Sequence, residues 1–133
     1  MPAVAVDTHV ILWYLTKSPS LSRTAESVLD QASVEGYPIY VPSICLVELT
    51  YLVEKARLPG SARQILTRAL SDPNGPYELA PLDGLVADAL ELVPRSEVPD
   101  LPDRIIAATA VALRVPLVSR DRKIRASVVN TVW

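Results

Sequence analysis

The 133 residues contain one cysteine, Cys45, and one histidine, His9. A lone cysteine forms no intramolecular disulfide, which excludes a disulfide-stapled scaffold, and within the apolar run Ile44-Cys45-Leu46-Val47 it reads as a buried, inert thiol. One cysteine with one histidine is also a poor donor set for zinc. No stretch approaches the roughly 20 apolar residues that cross a bilayer. The opening run Met1 to Val6 carries no basic residue, and Asp7 interrupts it before a signal-peptide core can form. The expectation is a cytoplasmic protein with no membrane partner. Charge of one sign is scarce too: the formal net charge is only -2. Composition therefore carries no nucleic-acid signal, and any such reading must come from where the charges sit.

What is present is the composition of an ordered globular protein, with 50% apolar and 21% charged residues and no low-complexity segment. The length suits one domain spanning residues 1–133, long enough to bury a core without metal or disulfide support.

Ala3 to Val6 is a continuous apolar run ending at an acid, as in a strand buried on both faces. Asp7-Thr8 then opens a short helix. Ser22 caps a helix to about Val34, with Ala25, Val28, Leu29 and Ala32 on one face and Gly36 as its stop. Pro38 to Val41 reads as a second buried strand, and Ser43 as the cap of a helix from Ile44 to about Arg57. A helix from Ser61 to Leu70 precedes the turn Asp72 to Pro76 and a short strand, Tyr77 to Ala80. Helical period returns from Asp83 to Leu92, and the polar, proline-flanked Pro94 to Pro99 reads as a loop free to move. Leu101 to Leu113 is helical, Val115 to Ser119 a strand, and Val128 to Trp133 an edge-strand candidate. This alternation predicts an α/β fold, a doubly wound parallel sheet with helices on both faces. Ligands of such folds bind beyond the carboxyl ends of the strands.

That edge directs attention to acids. Asp7 directly follows the first strand and Asp121 closely follows the strand Val115 to Ser119, so both project from one rim; alternatively, each simply caps the next helix or turn. Glu48 has Ile44 and Leu52 one turn away and Val47 and Tyr51 beside it, so it interrupts what reads as a core-facing stripe. An ionised carboxylate there costs several kcal/mol unless a cation, a metal or an arginine pairs with it. In Asp100-Leu101-Pro102-Asp103, Asp100 reads as the helix cap and Asp103 as the third helical residue, where the helix dipole favours negative charge.

Four converging carboxylates need a strong counter-charge, and an all-oxygen set suits Mg²⁺ or Mn²⁺. Two such ions about 4 Å apart stabilise in-line attack of water on a phosphodiester. Beside the acids, Thr8 and Ser119 can orient a carboxylate or cap locally, and His9 can touch substrate or serve the local structure. Arg114, Arg120, Arg122, Lys123 and Arg125, with Arg104 beside Asp103, form a candidate basic rim for a phosphate backbone, or a solvated face.

The stretches Val6-Asp7-Thr8-His9-Val10-Ile11-Leu12-Trp13, Leu46-Val47-Glu48-Leu49, Asp103-Arg104-Ile105-Ile106-Ala107-Ala108-Thr109-Ala110 and Leu117-Val118-Ser119-Arg120-Asp121 together resemble a PIN domain. The likeness spans nearly the whole chain in order. A free-standing chain of this length resembles the VapC toxins of toxin–antitoxin pairs. That resemblance implies a Mg²⁺- or Mn²⁺-dependent endoribonuclease acting on structured RNA such as transfer or ribosomal RNA, a homodimer, and a VapB-like antitoxin partner. Position by position, Asp7, Glu48, Asp103 and Asp121 match the family's acidic quartet, with Asp100 a competitor for the place of Asp103.

Two other readings stay open. One is a PIN-like module that binds RNA or a partner without cutting. The other is a Mg²⁺-binding receiver-type signalling domain, which fits less well: the strand taken as central, Pro38 to Val41, ends in Pro42-Ser43. None of Lys17, Lys55 and Lys123 follows a late strand in the required way.

Overall fold

Val4, Ala5 and Val6 have no solvent exposure, as an apolar strand covered on both faces requires. The computed structural model describes residues 3–133; Met1 and Pro2, at the start of the opening apolar run, lie outside the described residues. The first strand, β1 (Val4–Val6), leads into α1 (Thr8–Leu15) and α2 (Arg23–Glu35). Next come β2 (Ile39–Pro42), α3 (Ser43–Glu54), α4 (Ser61–Ser71) and β3 (Tyr77–Ala80). The chain continues through α5 (Gly84–Ala89), a 3-10 turn (Leu90–Leu92), α6 (Leu101–Leu113), β4 (Leu117–Val118), α7 (Arg122–Arg125) and β5 (Thr131–Val132).

The five strands lie in the order β3-β2-β1-β4-β5, and every pairing is parallel. The doubly wound parallel sheet expected from the alternation is therefore what forms. The chain steps outward from β1 through β2 to β3, then crosses back to place β4 on the other side of β1. The central strand is thus β1, not the Pro38 to Val41 segment. Such a reversal opens a crevice beyond the carboxyl ends of the two strands that flank it, here β1 and β4.

Local signals set most helix limits. The Ser22 hydroxyl accepts from the Ala25 amide, and Gly36 ends α2 in the left-handed region at φ 78°, which glycine adopts without the Cβ penalty. Asp100 caps α6 through the Asp103 amide at 3.1 Å. Three expectations change. Ser43 is inside α3 rather than its cap, and its hydroxyl instead accepts from the Leu82 amide at 3.0 Å, tying α3 to the chain leaving β3. The helix expected to reach Leu92 tightens to a 3-10 turn after Ala89, and Arg104 takes the carbonyls of Leu90 and Val93 there at 2.9 and 2.7 Å. The Pro94 to Pro99 segment is anchored rather than free: Val98 is buried in the core, and Glu97 accepts from the Val128 amide. Among the described residues, no helix is long and apolar enough to cross a membrane.

Candidate active site

Parallel strands end on one rim, and the helix that precedes a strand begins on that same rim. Asp7 leaves β1 there, Asp121 follows β4, Glu48 stands in α3 just after β2, and Asp103 lies in the first turn of α6, which feeds β4. All four line one cavity of about 430 Å³, together with His9, Val10, Trp13 and Arg120.

Two buried hydroxyls tie these acids to the fold. Ser119, fully buried, donates to Asp7 Oδ2 at 2.7 Å, while its oxygen accepts from the Asp121 amide at 3.0 Å. Thr8, 2% exposed, donates to Glu48 Oε1 at 2.7 Å. The Thr8 amide reaches Asp7 Oδ1 at 2.7 Å, and the Asp7 amide donates to the Val118 carbonyl at 3.1 Å, locking β1 to β4 at the crevice. Local capping and carboxylate orientation, posed as alternatives in the sequence, coexist here. Asp7 caps α1 and also receives Ser119; Asp121 caps α7 through the Ile124 amide at 3.0 Å.

The environment resists charge. Burial pushes the Asp7 carboxyl above its ordinary pKa, the nearby Asp121 adds to the rise, and the bonds from Ser119 and Thr8 oppose it. Glu48 is raised by burial and by Asp7 and Asp100, against the Thr8 bond. Asp103 is pushed up to about 7, first by burial and then by Asp7, Asp100, Asp121 and Glu48. Like charges that raise one another's pKa are within electrostatic reach, and His9 offsets only part of that rise at Asp7 and Glu48. Below them Cys45 is buried with its thiol pushed up, as expected of an inert residue.

Among the described residues, no three His, Cys, Asp or Glu side chains are drawn together tightly enough to clasp a metal ion as they stand. Three of the acids are held in place by hydrogen bonds: Asp7 by Ser119 and Thr8, Glu48 by Thr8, and Asp121 by Ile124. A carboxylate offers about four lone-pair directions, so each tethered group keeps coordinating capacity. A set of oxygen donors with raised proton affinity fits a hard divalent cation, which competes with protons for the same lone pairs.

Several sequence inferences need revision. Val47 and Tyr51 do not share a core-facing stripe with Glu48; they are 61% and 54% exposed, and the buried face of α3 is Cys45 and Leu49. Glu48 lies at the margin of that face, and its partner is a threonine hydroxyl rather than arginine. Arg104 is committed to backbone carbonyls, so it is not rim charge. Arg114 ends α6 in the left-handed region at φ 57°, before β4 and hence away from the carboxyl edge. The basic groups at that edge are Arg120, in the cavity wall, and Arg122, Lys123 and Arg125 of α7. Asp100 is exposed and caps α6, while Asp103 lines the cavity; the charge of Asp100 still raises both Glu48 and Asp103. Trp13 in the cavity wall was missed; its position on the His9 side of α1, one turn on, was the available signal.

Comparison with known proteins agrees with this architecture. The PIN domain family profile matches residues 4–127. Ribonuclease VapC22 of Mycobacterium tuberculosis (strain ATCC 25618 / H37Rv) is 30% identical over 127 residues, covering 94% of this chain and 92% of that protein. VapBC2 from Rickettsia felis, bound to a DNA fragment from their promoter, superposes with a TM-score of 0.71 at 20% identity, over 97% of this chain and 96% of the other. FitAcB from Neisseria gonorrhoeae does so at 0.63 and 24% identity, over 96% and 95%.

Proposed function

The chain belongs to the PIN-domain family, and from that premise we propose that it is a Mg²⁺- or Mn²⁺-dependent endoribonuclease, the toxin of a VapBC-type toxin–antitoxin pair. The observation that carries the proposal is the convergence of Asp7, Glu48, Asp103 and Asp121 on one cavity, three of them with raised proton affinity. A relative named as a ribonuclease, 30% identical over 94% of the chain, supports the choice of RNA. The family match sets the receiver-type reading aside.

In this reading the four carboxylates hold the cations. When bound, divalent ions activate water and stabilise the leaving oxygen of the phosphodiester. Ser119 holds Asp7 at Oδ2, and Thr8 holds Glu48 at Oε1, so the donors meet a cation without searching rotamers. Burial and four neighbouring acids push Asp103 up to about 7, so a cation held there would compete with a proton for its oxygens. Arg120 and the α7 cations Arg122, Lys123 and Arg125 bind the phosphates on either side of the cut.

The substrate is structured RNA such as transfer or ribosomal RNA, met in the cytoplasm, and the partners are a VapB-like antitoxin and a second copy of the chain. The names of the structural neighbours, VapBC2 and FitAcB, favour an antitoxin. Exposed Leu79, Leu82 and Leu85, clustered at the β3 end of the sheet, supply apolar area of the kind that protein partners cover.

The test is incubation of the purified protein with transfer and ribosomal RNA in Mg²⁺ or Mn²⁺, alongside chelator and the variant Asp7→Asn. Cleavage by the parent alone, lost in chelator, supports the proposal. Cleavage indifferent to both chelator and substitution overturns the mechanism. Binding without cleavage under every condition favours the non-cutting module.

A further inference from the structure

Besides the acids, the cavity lining includes aromatic residues that the metal chemistry does not use. His9 and Trp13, one turn apart on α1, have ring centroids 5.7 Å apart at an interplanar angle of 44°. Trp133, after β5, meets Trp13 at 6.1 Å and 54°. The Arg120 guanidinium lies over the Trp13 ring, 5.6 Å from its centroid. His9, Trp13 and Arg120 line the same cavity as the carboxylates. This chain has only two tryptophans, and both converge here. Trp133 packs against the hydrophobic core, whereas Trp13 is half-buried and His9 exposed. Trp133 therefore backs Trp13 and fixes its ring, and what Trp13 offers is an oriented aromatic surface facing the site.

We propose that the Trp13 ring, with His9 beside it and Arg120 above it, is a stacking platform for one unpaired nucleobase next to the phosphate being cut. This rests on the ribonuclease reading and adds to it the part of the substrate that the acidic wall cannot recognise. Every base has a π-face, so stacking on tryptophan binds single-stranded RNA with little regard to sequence. A base still paired in a helix cannot reach such a wall. Arg120 is exposed and leaves the chain immediately before Asp121. It can remain as the outer layer of the stack or move to a flanking phosphate when a base takes its place.

The test separates binding from cutting. Fluorescence anisotropy in chelator follows an eight-nucleotide, fluorescein-labelled single-stranded RNA and its duplex at one fixed salt concentration. Parent, Trp13→Ala and Trp13→Phe are compared, with Trp133→Phe added so that Trp13 emission is read alone. The expected result is preference for the single strand, about tenfold weaker binding in Trp13→Ala, near-parental binding in Trp13→Phe, and quenching of Trp13 emission by the strand. Unchanged affinity in Trp13→Ala, equal loss in both substitutions, equal affinity for duplex, or no binding by the parent overturns the platform. Should Trp13→Ala fail to fold, the emission of Trp133→Phe decides, and absence of quenching overturns it. Divalent-ion cleavage measured in parallel keeps the two ideas apart: binding and quenching without cleavage removes the nuclease reading only, and cleavage with affinity indifferent to Trp13 removes the platform only.

Discussion

At Asp103 the proposed function conflicts with stability, and substituting it by asparagine exposes that conflict. The carboxyl rises from an ordinary 3.8 to about 7 through burial and four neighbouring acids. Below pH 3.8 it is protonated in the folded and unfolded chain alike and costs nothing. Between there and about 7 the unfolded chain sheds the proton that the folded protein keeps, so stability falls as pH rises; above about 7 the cost is complete. At about 1.4 kcal/mol per pKa unit the rise amounts to about 4 kcal/mol. The side chain is only half-buried, and solvent screening reduces this to about 1–2 kcal/mol. Asparagine also gives up a favourable charge in the first turn of α6, worth about 0.5 kcal/mol. The net expectation at pH 8 is a gain of about 1 kcal/mol, or about 3–5 °C in Tm, shrinking toward zero near pH 4. Differential scanning fluorimetry of parent and Asp103→Asn across pH, in chelator, reads this directly. Mg²⁺ should then raise the Tm of the parent and do little for the variant. A variant no more stable than the parent at pH 8, or a difference that does not narrow on acidification, refutes the reasoning.

Ser119→Ala removes both the donor to Asp7 Oδ2 and the acceptor of the Asp121 amide; calorimetric titration should show divalent-ion affinity falling about 10–100-fold. Ile11→Ala, at a fully buried position of α1, should cost about 2–5 kcal/mol in urea unfolding. Lys123→Ala should weaken RNA binding similarly for every sequence and reduce the salt slope by about one, read from affinities at several salt concentrations.

The strands, most helix caps and the carboxyl-edge location of the acids were legible because they arise from local signals: apolar runs, Ser22 and Gly36 around α2, Asp100 before α6; Ser43, read as the cap of α3, was the exception. Glu48 reaches the cavity, but not by interrupting a core-facing stripe. Helical spacing defines a stripe, yet it does not say which of two adjacent faces is buried. The packing of α3 through Cys45 and Leu49 left Val47 and Tyr51 outside. Charge proximity in sequence likewise misplaced Arg104 and Arg114. The first is captured by carbonyls of a turn some ten residues earlier, and the second sits at the opposite end of β4. The aromatic wall depends on Trp133, at the far end of the chain, meeting Trp13, a contact that no local pattern announces.

The central claim is that Asp7, Glu48, Asp103 and Asp121, which line one cavity, act as one cation site. Mn²⁺ titration followed by electron paramagnetic resonance tests it most directly, because bound and free Mn²⁺ give separable signals without any RNA or catalysis. The account predicts saturable binding by the parent and marked weakening in each of Asp7→Asn, Glu48→Gln, Asp103→Asn and Asp121→Asn, with Asp100→Asn close to parental. Binding that survives all four substitutions, or no binding by the folded parent, would contradict it.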